Sequence, residues 1–551
     1  MAEFVKSSRV LDLKMKVCLF MLKHLLPLPI VRRSYKLRLY LEQTKMKIIE
    51  RKRLPPELSE VLFIGSQNEG LSVTVTEIDG GDAFCATSDY DTMPVLKQYQ
   101  AKNISESDSR SNESEEVNIL EMCEASHPGY CRLRSKTTGK FVGMRFNPDC
   151  SGKVDIFHDG VQVGETNVPY ADVIVGFSDK PDTVEIKTYI HGPAIACTKI
   201  QTHPGNITQT GIETDVVLSI KCQSWPIVAL EWFKRQETKS SESDWPSHET
   251  KENMKSTECY VVAVPHQLSP TPTEEWRYSF APVEKVLARS LTYAQKGSYI
   301  IAKMLFKTAL QNIDKVSSYC LKTQMFWLCE EESSPAWSYD QVGYYALEVL
   351  SKLAKNLKNG VVRHYIIPEN NIVSHIPAST LQEVSETLSE LVCNPFPVME
   401  KIRRTTKYFG IILHPHEESF QPVLKLLEQQ TADDNEIKDR FRASKLTIMG
   451  HYCFMLQKPI VNKVQEEFSK LKFALLMDIA EEIGNDSDSA ETTDDMIAKI
   501  AVELSKYTEE NVKRWHVFVQ EYWKSVDNIK SENVEQMLTT TSDGIQKVEA
   551  F

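Results

Sequence analysis

The sequence predicts an α+β protein in which a mixed β-rich lobe follows a basic lead helix and precedes a helical lobe. Three patterns carry that prediction. Residues 61–64 (VLFI) form a short apolar run, 72–78 (SVTVTEI) alternate, and 213–222 (ETDVVLSIKC) read as one further strand. From about Trp276 the periodicity changes: Ala346, Leu350, Leu353 and Leu357 line one helix face, and Gly360 stands where a C-cap belongs. Residues 10–53 read as helix, with Leu37, Tyr40, Leu41, Met46, Ile48 and Ile49 recurring at three- and four-residue steps before Pro55-Pro56 closes the run. The division is therefore a basic spine helix region (1–55), a core lobe (56–275), a helical lobe (276–412) and a further helical region (413–551). The last contains the stripe Val512, Trp515, Val519, Tyr522, Val526 and Ile529. An active cleft is expected between the two lobes. Two polar stretches, 101–116 and 236–258, read as loops.

At 551 residues, 41% hydrophobic and 25% charged, the chain has a globular composition that excludes fibrous and wholly disordered classes. The apolar stretch from Val17 to Val31 is broken by Lys23, His24, Pro27 and Pro29 and is too short to span a bilayer. No small-residue cleavage site follows it, so no signal peptide and no membrane partner are expected and the location is read as cytoplasmic. The twelve cysteines, scattered from Cys18 to Cys453 without a Cys-x-x-Cys pair, fit reduced core thiols.

Charge is uneven. Residues 1–55 carry fourteen Lys/Arg against four acids, a local +10 within a total of −12, which leaves −22 on the remainder. A polyanion-facing surface and a merely solvated helix face explain this run equally well.

Chemistry enters with Gly65-Ser66 after the first strand, which offers backbone N–H groups and a hydroxyl to nucleotide phosphates. Alone, that dipeptide is an ordinary turn. Asp89 and Asp91 stand two apart, hence on one face of a strand, and two such carboxylates clamp a divalent metal. Asp215 is placed to complete a two-metal site. Three clustered carboxylates are costly without a cation, so packing alone gives no reason for them.

The ordered runs GSQNEG, SDYDTM, YIHGPA (Tyr189 to Ala194), TDVVLSIKCQSWP, EWRYSF (Glu275 to Phe280), SSYCLKTQMFWLCEE (Ser317 to Glu331) and HYIIPENNI (His364 to Ile372) resemble the Mab-twenty-one nucleotidyltransferase family, including cyclic GMP-AMP synthase and the receptors like it, over about residues 10–410. The resemblance implies a nucleotidyltransferase-type mixed sheet packed on a helical lobe beside a long N-terminal spine helix. It implies that Gly65 and Ser66 hold phosphates and that Asp89, Asp91 and Asp215 are the catalytic ligands of two Mg²⁺ (or Mn²⁺) ions. Arg277, Ser279, Lys303, Ser318 and Tyr319 match nucleotide-contacting positions, with Tyr319 suited to stack on a base. The implied substrates are ATP and/or GTP, the implied product is a cyclic dinucleotide made on activation by nucleic acid, and a homodimer on ligand is implied with it. A catalytically silent nucleotide- or protein-binding scaffold of the same family is the alternative, and a template-independent polymerase adding nucleotides to RNA ends is a third.

Two features depart from the vertebrate synthase. Residues 281–316 contain neither His nor Cys, so no zinc is expected, and a stretch from Glu77 to Cys85 is inserted between Ser66 and Asp89. Without a zinc ribbon, double-stranded RNA is the favoured activator, met by Arg32, Arg33, Lys36 and Lys45 on the lead helix.

Overall fold

A computed structural model describes residues 56–401, apart from 72–74, 80–81, 87–89, 105–116, 148–152, 168–183, 192–193, 203–208, 239–244, 312, 314–315, 333–336, 339–340, 396 and 400. The lead helix with Arg32, Arg33, Lys36 and Lys45, the residue Asp89 and the whole region 413–551 lie outside the described residues.

Along the chain the strands are β1 (Leu58–Ile64), β2 (Val75–Asp79), β3 (Asp82–Ala86), β4 (Tyr90–Asn103), β5 (Asn118–Glu124), β6 (Tyr130–Ser135), β7 (Phe141–Phe146), β8 (Lys153–His158), β9 (Val161–Asn167), β10 (Val184–His191), β11 (Ala194–Thr202), β12 (Gln209–Val216), β13 (Ser219–Cys222), β14 (Tyr260–Val262) and β15 (Glu275–Ser279). Helices are α1 (Gly65–Glu69), α2 (Leu230–Thr238), α3 (His248–Ser256), α4 (Ala281–Ser290), α5 (Tyr293–Ala309), α6 (Ser318–Glu331), α7 (Val342–Lys358) and α8 (Ala378–Cys393). This is a mixed α+β arrangement. Thirteen strands form one sheet in the order β10-β11-β12-β4-β13-β14-β15-β6-β7-β8-β9, with β1 and β5 also joined to β4. The stretch inserted between Ser66 and Asp89 folds as the separate hairpin β2–β3.

Strand β4 is the hub, pairing antiparallel with β1 and parallel with β5, β12 and β13. Its inward residues Met93 and Val95 pack with Tyr260, Val262 and Val264, and Leu62, Ile64, Val217 and Ala281 close over them. Burying each such side chain is worth roughly 1.5–3 kcal/mol, which makes this strand the natural anchor of the lobe.

Three segments differ from the sequence expectation. Residues 213–222 are two strands, because β12 pairs β4 up to Thr92 and β13 resumes at Val95. Between those points β4 carries Pro94, which has no N–H to give, and the Ser219 hydroxyl donates to the Pro94 carbonyl at 2.9 Å across the break. Residues 101–103 belong to β4 rather than to a loop, since Gln223 N–H donates to Ala101 O at 2.8 Å and Asn103 is held by Ser224 and Trp225. Residues 248–256, expected in a loop, are α3: the Ser247 hydroxyl caps the Thr250 N–H at 3.2 Å, and Met254 is buried.

Helices follow β15. Ala346, Leu350, Leu353 and Leu357 are all buried, and α7 packs against α5, α6 and α8. Gly360 ends α7 at φ +69°, its N–H on Leu357 O at 2.9 Å. Thr292 and Gln295 form a capping box that starts α5. Among the described residues no helix is long and apolar enough to cross a membrane.

Candidate nucleotide site

Strand β1 delivers the chain at Ile64, opposite Asp91 of β4, and α1 begins at once with Gly65 and Ser66. On the other side of β4, Asp91 is in parallel register with Asp215 of β12. Residues in direct register share a sheet face, so the two carboxylates project to one side next to the Gly65-Ser66 turn. The register is held by Val217 N–H donating to Thr92 O at 3.0 Å and by the Thr92 hydroxyl donating to Asp215 O at 3.2 Å. Gly65 has φ +76°, and a Cβ there would lie 2.7 Å from Asp91 Cγ, so only glycine lets the Asp91 carboxylate settle over the turn. The short helix is steadied by Asn68 Nδ2 donating to Ile64 O and by Leu71 N–H donating to Ser66 O, each at 2.9 Å.

Four of the expected residues, Gly65, Ser66, Asp91 and Asp215, are thus brought together from three strands' ends. Paired carboxylates on one face fit the oxygen-donor chemistry of a hard divalent cation. Among the described residues no group of three metal-ligating side chains assembles, and the expected third member, Asp89, lies outside them.

Below this turn runs a buried chain of charged and polar groups. Lys322 of α6 donates to Glu69 Oε1 at the end of α1 (2.9 Å) and to Glu284 Oε2 of α4 (2.7 Å). The Tyr319 hydroxyl, one turn earlier on α6, lies 2.7 Å from Glu284 Oε1 and 2.8 Å from His364 Nε2. His364 Nδ1 accepts from the backbone N–H of both Ile366 and Ile367 at 3.1 Å. The ring proton therefore sits on Nε2 and is donated to Tyr319, which donates its own to Glu284.

The electrostatics agree with that direction. Burial lowers His364 to about 4, so the ring is neutral at physiological pH. Burial pushes the Glu284 carboxyl up, but Lys322 beside it outweighs this and holds it below the ordinary value. Burial pulls the Lys322 ammonium down, yet Glu284 and Glu69 keep it well above its usual range. The Tyr319 hydroxyl is pushed well up by burial and stays protonated.

The remaining expected residues surround the same elements. Arg277 is exposed on β15 opposite Tyr130, and its charge reaches Tyr319 and His364. The Ser279 hydroxyl is 3.5 Å from the sulfur of Met93, two residues beyond Asp91. Ser318 and Tyr319 open α6, with the Ser317 hydroxyl capping Tyr319 N–H at 3.0 Å. Lys303 lies on α5, 3% exposed, with Nζ 3.4 Å from the Leu71 carbonyl just past α1. It thus approaches the phosphate turn from its buried side.

Glu69, Glu284, Lys322 and His364 were not singled out from the sequence. The signal was there for Lys322, a charge set among Cys320, Leu321, Met325 and Phe326 in a helix with almost no polar face. A buried lysine in such a run demands buried partners.

The chain matches the profile of the Mab-21 protein nucleotidyltransferase domain over residues 171–290 and that of the Mab-21 protein HhH/H2TH-like domain over 296–390. The first match contains Asp215, Arg277 and Ser279 and starts after Gly65, Ser66 and Asp91. A cyclic GMP-AMP synthase-like receptor of Magallana gigas is 26% identical over 192 residues, 33% of this chain and 31% of that protein. Cyclic GMP-AMP synthase-like receptor 2 of Drosophila melanogaster is 26% identical over 128 residues, 23% of this chain and 28% of that protein. Protein mab-21-like 3 of Danio rerio is 24% identical over 246 residues, 43% of this chain and 60% of that protein. The chain thus spans under a third of either receptor and under two thirds of the third relative.

Proposed function

We infer that this chain, which carries the Mab-21 nucleotidyltransferase domain and the Mab-21 HhH/H2TH-like domain in tandem, joins ATP and/or GTP into a cyclic dinucleotide when a nucleic-acid ligand organises its cleft, as a cytoplasmic sensor of innate immunity. The observation that supports this most is the register of Asp91 on Asp215 beside a glycine that has room for nothing but the Asp91 carboxylate.

Each residue then has a task that follows from its place. The Gly65-Ser66 amides and the Ser66 hydroxyl receive phosphate oxygens, which the positive φ of Gly65 makes accessible. Asp91 and Asp215, with Asp89 as the third carboxylate, would hold Mg²⁺ or Mn²⁺, and such an ion would supply neutralisation of phosphate charge and acidification of a ribose hydroxyl. Tyr319 presents a ring whose hydroxyl is tied at both ends by Glu284 and His364, so its face is oriented before a base arrives. Arg277 supplies a fixed positive charge at the rim, suited to phosphate.

A second reading, a silent scaffold of the same family, draws on two observations. The chain aligns with a Mab-21-like protein over more residues than with either receptor, and Lys303 is buried against the Leu71 carbonyl. Purified full-length protein incubated with radiolabelled ATP and GTP and Mg²⁺ or Mn²⁺, with and without long double-stranded RNA or DNA, separates the two. A phosphatase-resistant cyclic product is expected. Binding of Mg·ATP with no product under any ligand favours the scaffold, and linear oligonucleotide products favour a polymerase.

A further inference from the structure

The phosphate turn and the base-facing helix are far apart in sequence yet meet at one side chain. Glu69 is three residues from Ser66 on α1, so it lies one turn along from the turn that receives phosphate. Lys322 is three residues from Tyr319 and four from Ser318 on α6, one turn along from the residues expected at the nucleotide. Its ammonium touches Glu69 at 2.9 Å and Glu284 at 2.7 Å, and Glu284 in turn holds the Tyr319 hydroxyl at 2.7 Å. All three charged groups are buried.

We propose that Lys322 is a positioning residue that fastens the phosphate-turn helix α1 to α6 and α4, so that the phosphate-holding and base-holding parts of the site form one rigid unit before nucleotide binds. The identity of the ligand rests on the function proposed above. The fastening itself does not.

Two physical points support it. A helix of five residues has no stability of its own, because helix nucleation costs more than one turn of hydrogen bonds returns. It is held by its surroundings, and Lys322 is the cation that its terminal carboxylate meets. Glu69 is 2% exposed, and its second oxygen, Oε2, has no hydrogen-bond partner among the described residues. Loss of Lys322 would therefore leave a buried carboxyl at the end of α1 with its main compensating charge gone; whether that end moves toward water or the carboxyl takes up a proton, the ionic tie of α1 to α6 is lost. A simple structural ion pair would behave differently, since removing it weakens the whole fold without singling out α1.

The test is amide hydrogen exchange of the full-length protein without nucleotide, comparing residues 66–71 with the distant β7–β8 hairpin (142–158). Lys322→Met should speed exchange at 66–71 at least tenfold while 142–158 stays at the wild-type rate. Lys322→Arg, which keeps the charge, should return 66–71 to within about threefold of wild type. Should Lys322→Met fail to fold, Glu69→Met decides, because it leaves the Lys322–Glu284 pair intact and still cuts the tie to α1. Unchanged exchange at 66–71 in the folded variant, or equal acceleration in both regions, overturns the proposal. A parallel titration with Mg·ATP should show at least tenfold weaker binding in the same variant. Wild type that binds no Mg·ATP counts against the proposed function alone, and the exchange result still decides the fastening.

Discussion

The carboxylate of Asp91 lies over the bare Cα of Gly65, close enough that a Cβ at 65 would overlap its Oδ2. Gly65→Ala therefore meets two penalties at once: the left-handed φ of +76° and displacement of Asp91. The first costs about 1–2 kcal/mol of stability. The second moves the carboxylate proposed as a metal ligand, and a shift of that kind would cost on the order of 100-fold in rate. Gly70→Ala is the matching control, with φ +75° and nothing within 4 Å of its Cβ. Urea unfolding should show similar stability losses in both variants. Initial rates of NTP consumption should collapse only at position 65.

Asp91 and Asp215 stand in direct parallel register on one sheet face, so their like charges disfavour each other. Asp91→Asn with Asp215→Asn should leave metal-free stability unchanged or raised by about 1 kcal/mol, while product formation disappears. Melting curves with and without Mg²⁺ check this directly: wild type is stabilised by the ion through mass action and the double variant is not. Equal Mg²⁺ stabilisation of both proteins would remove these carboxylates from the metal site.

Much of this site was legible in the sequence, and the reason lies in spacing. Gly65-Ser66, Asp91 and Asp215 lie in or beside runs whose strand character is local, so their convergence needed only the pairing of β1 and β12 with β4. Helical periodicity likewise foretold the α7 stripe and its Gly360 cap. What stayed hidden were partnerships across long sequence separations. Glu69 and Lys322 are 253 residues apart, and nothing local to either names the other. The break between β12 and β13 was likewise invisible in TDVVLSIKC, because its cause, Pro94, sits on the neighbouring strand. Helix α3 was missed for a different reason: polar composition reads as loop, whereas the Ser247 cap and the burial of Met254 are tertiary facts.

His364 predicts a pH dependence whose sign follows from its lowered pKa. Its pKa is lowered to about 4 in the folded protein, against an ordinary value near 6.5. Between those values the unfolded chain binds a proton that the folded one refuses, so stability is complete above about pH 6.5 and is lost as pH falls toward 4. The loss amounts to about 3 kcal/mol from this group. Glu284, held below its ordinary value, adds to the fall at the acid end of the window. Urea midpoints taken from pH 7.5 to 4.5 should decline steeply in wild type. His364→Gln, which has no proton to gain, should show a shallower decline, and identical slopes would contradict a lowered pKa at His364.

The choice of activator rests on charge. Residues 1–55 carry +10 and the rest of the chain −22, so a polyanion approaching at random is repelled except along the lead segment. Double-stranded RNA is recognised through phosphates, 2′-hydroxyls and the shape of an A-form groove, for which lysines and arginines on a rigid support suffice and no zinc ribbon is required. Arg32, Arg33, Lys36 and Lys45 fall within fourteen residues of one another in that segment. Reversing all four to Glu should weaken RNA binding by a similar factor at every sequence, because phosphate contacts carry no sequence information. It should also lower the slope of log affinity against log salt by about 4 if each residue neutralises one phosphate. Filter binding or fluorescence anisotropy from 50 to 200 mM salt (about the range in which such contacts lose most of their affinity) reads both quantities. A variant that binds RNA and answers it as wild type does would reduce the lead segment to a solvated support and turn the search for the activator to the remaining, acidic body.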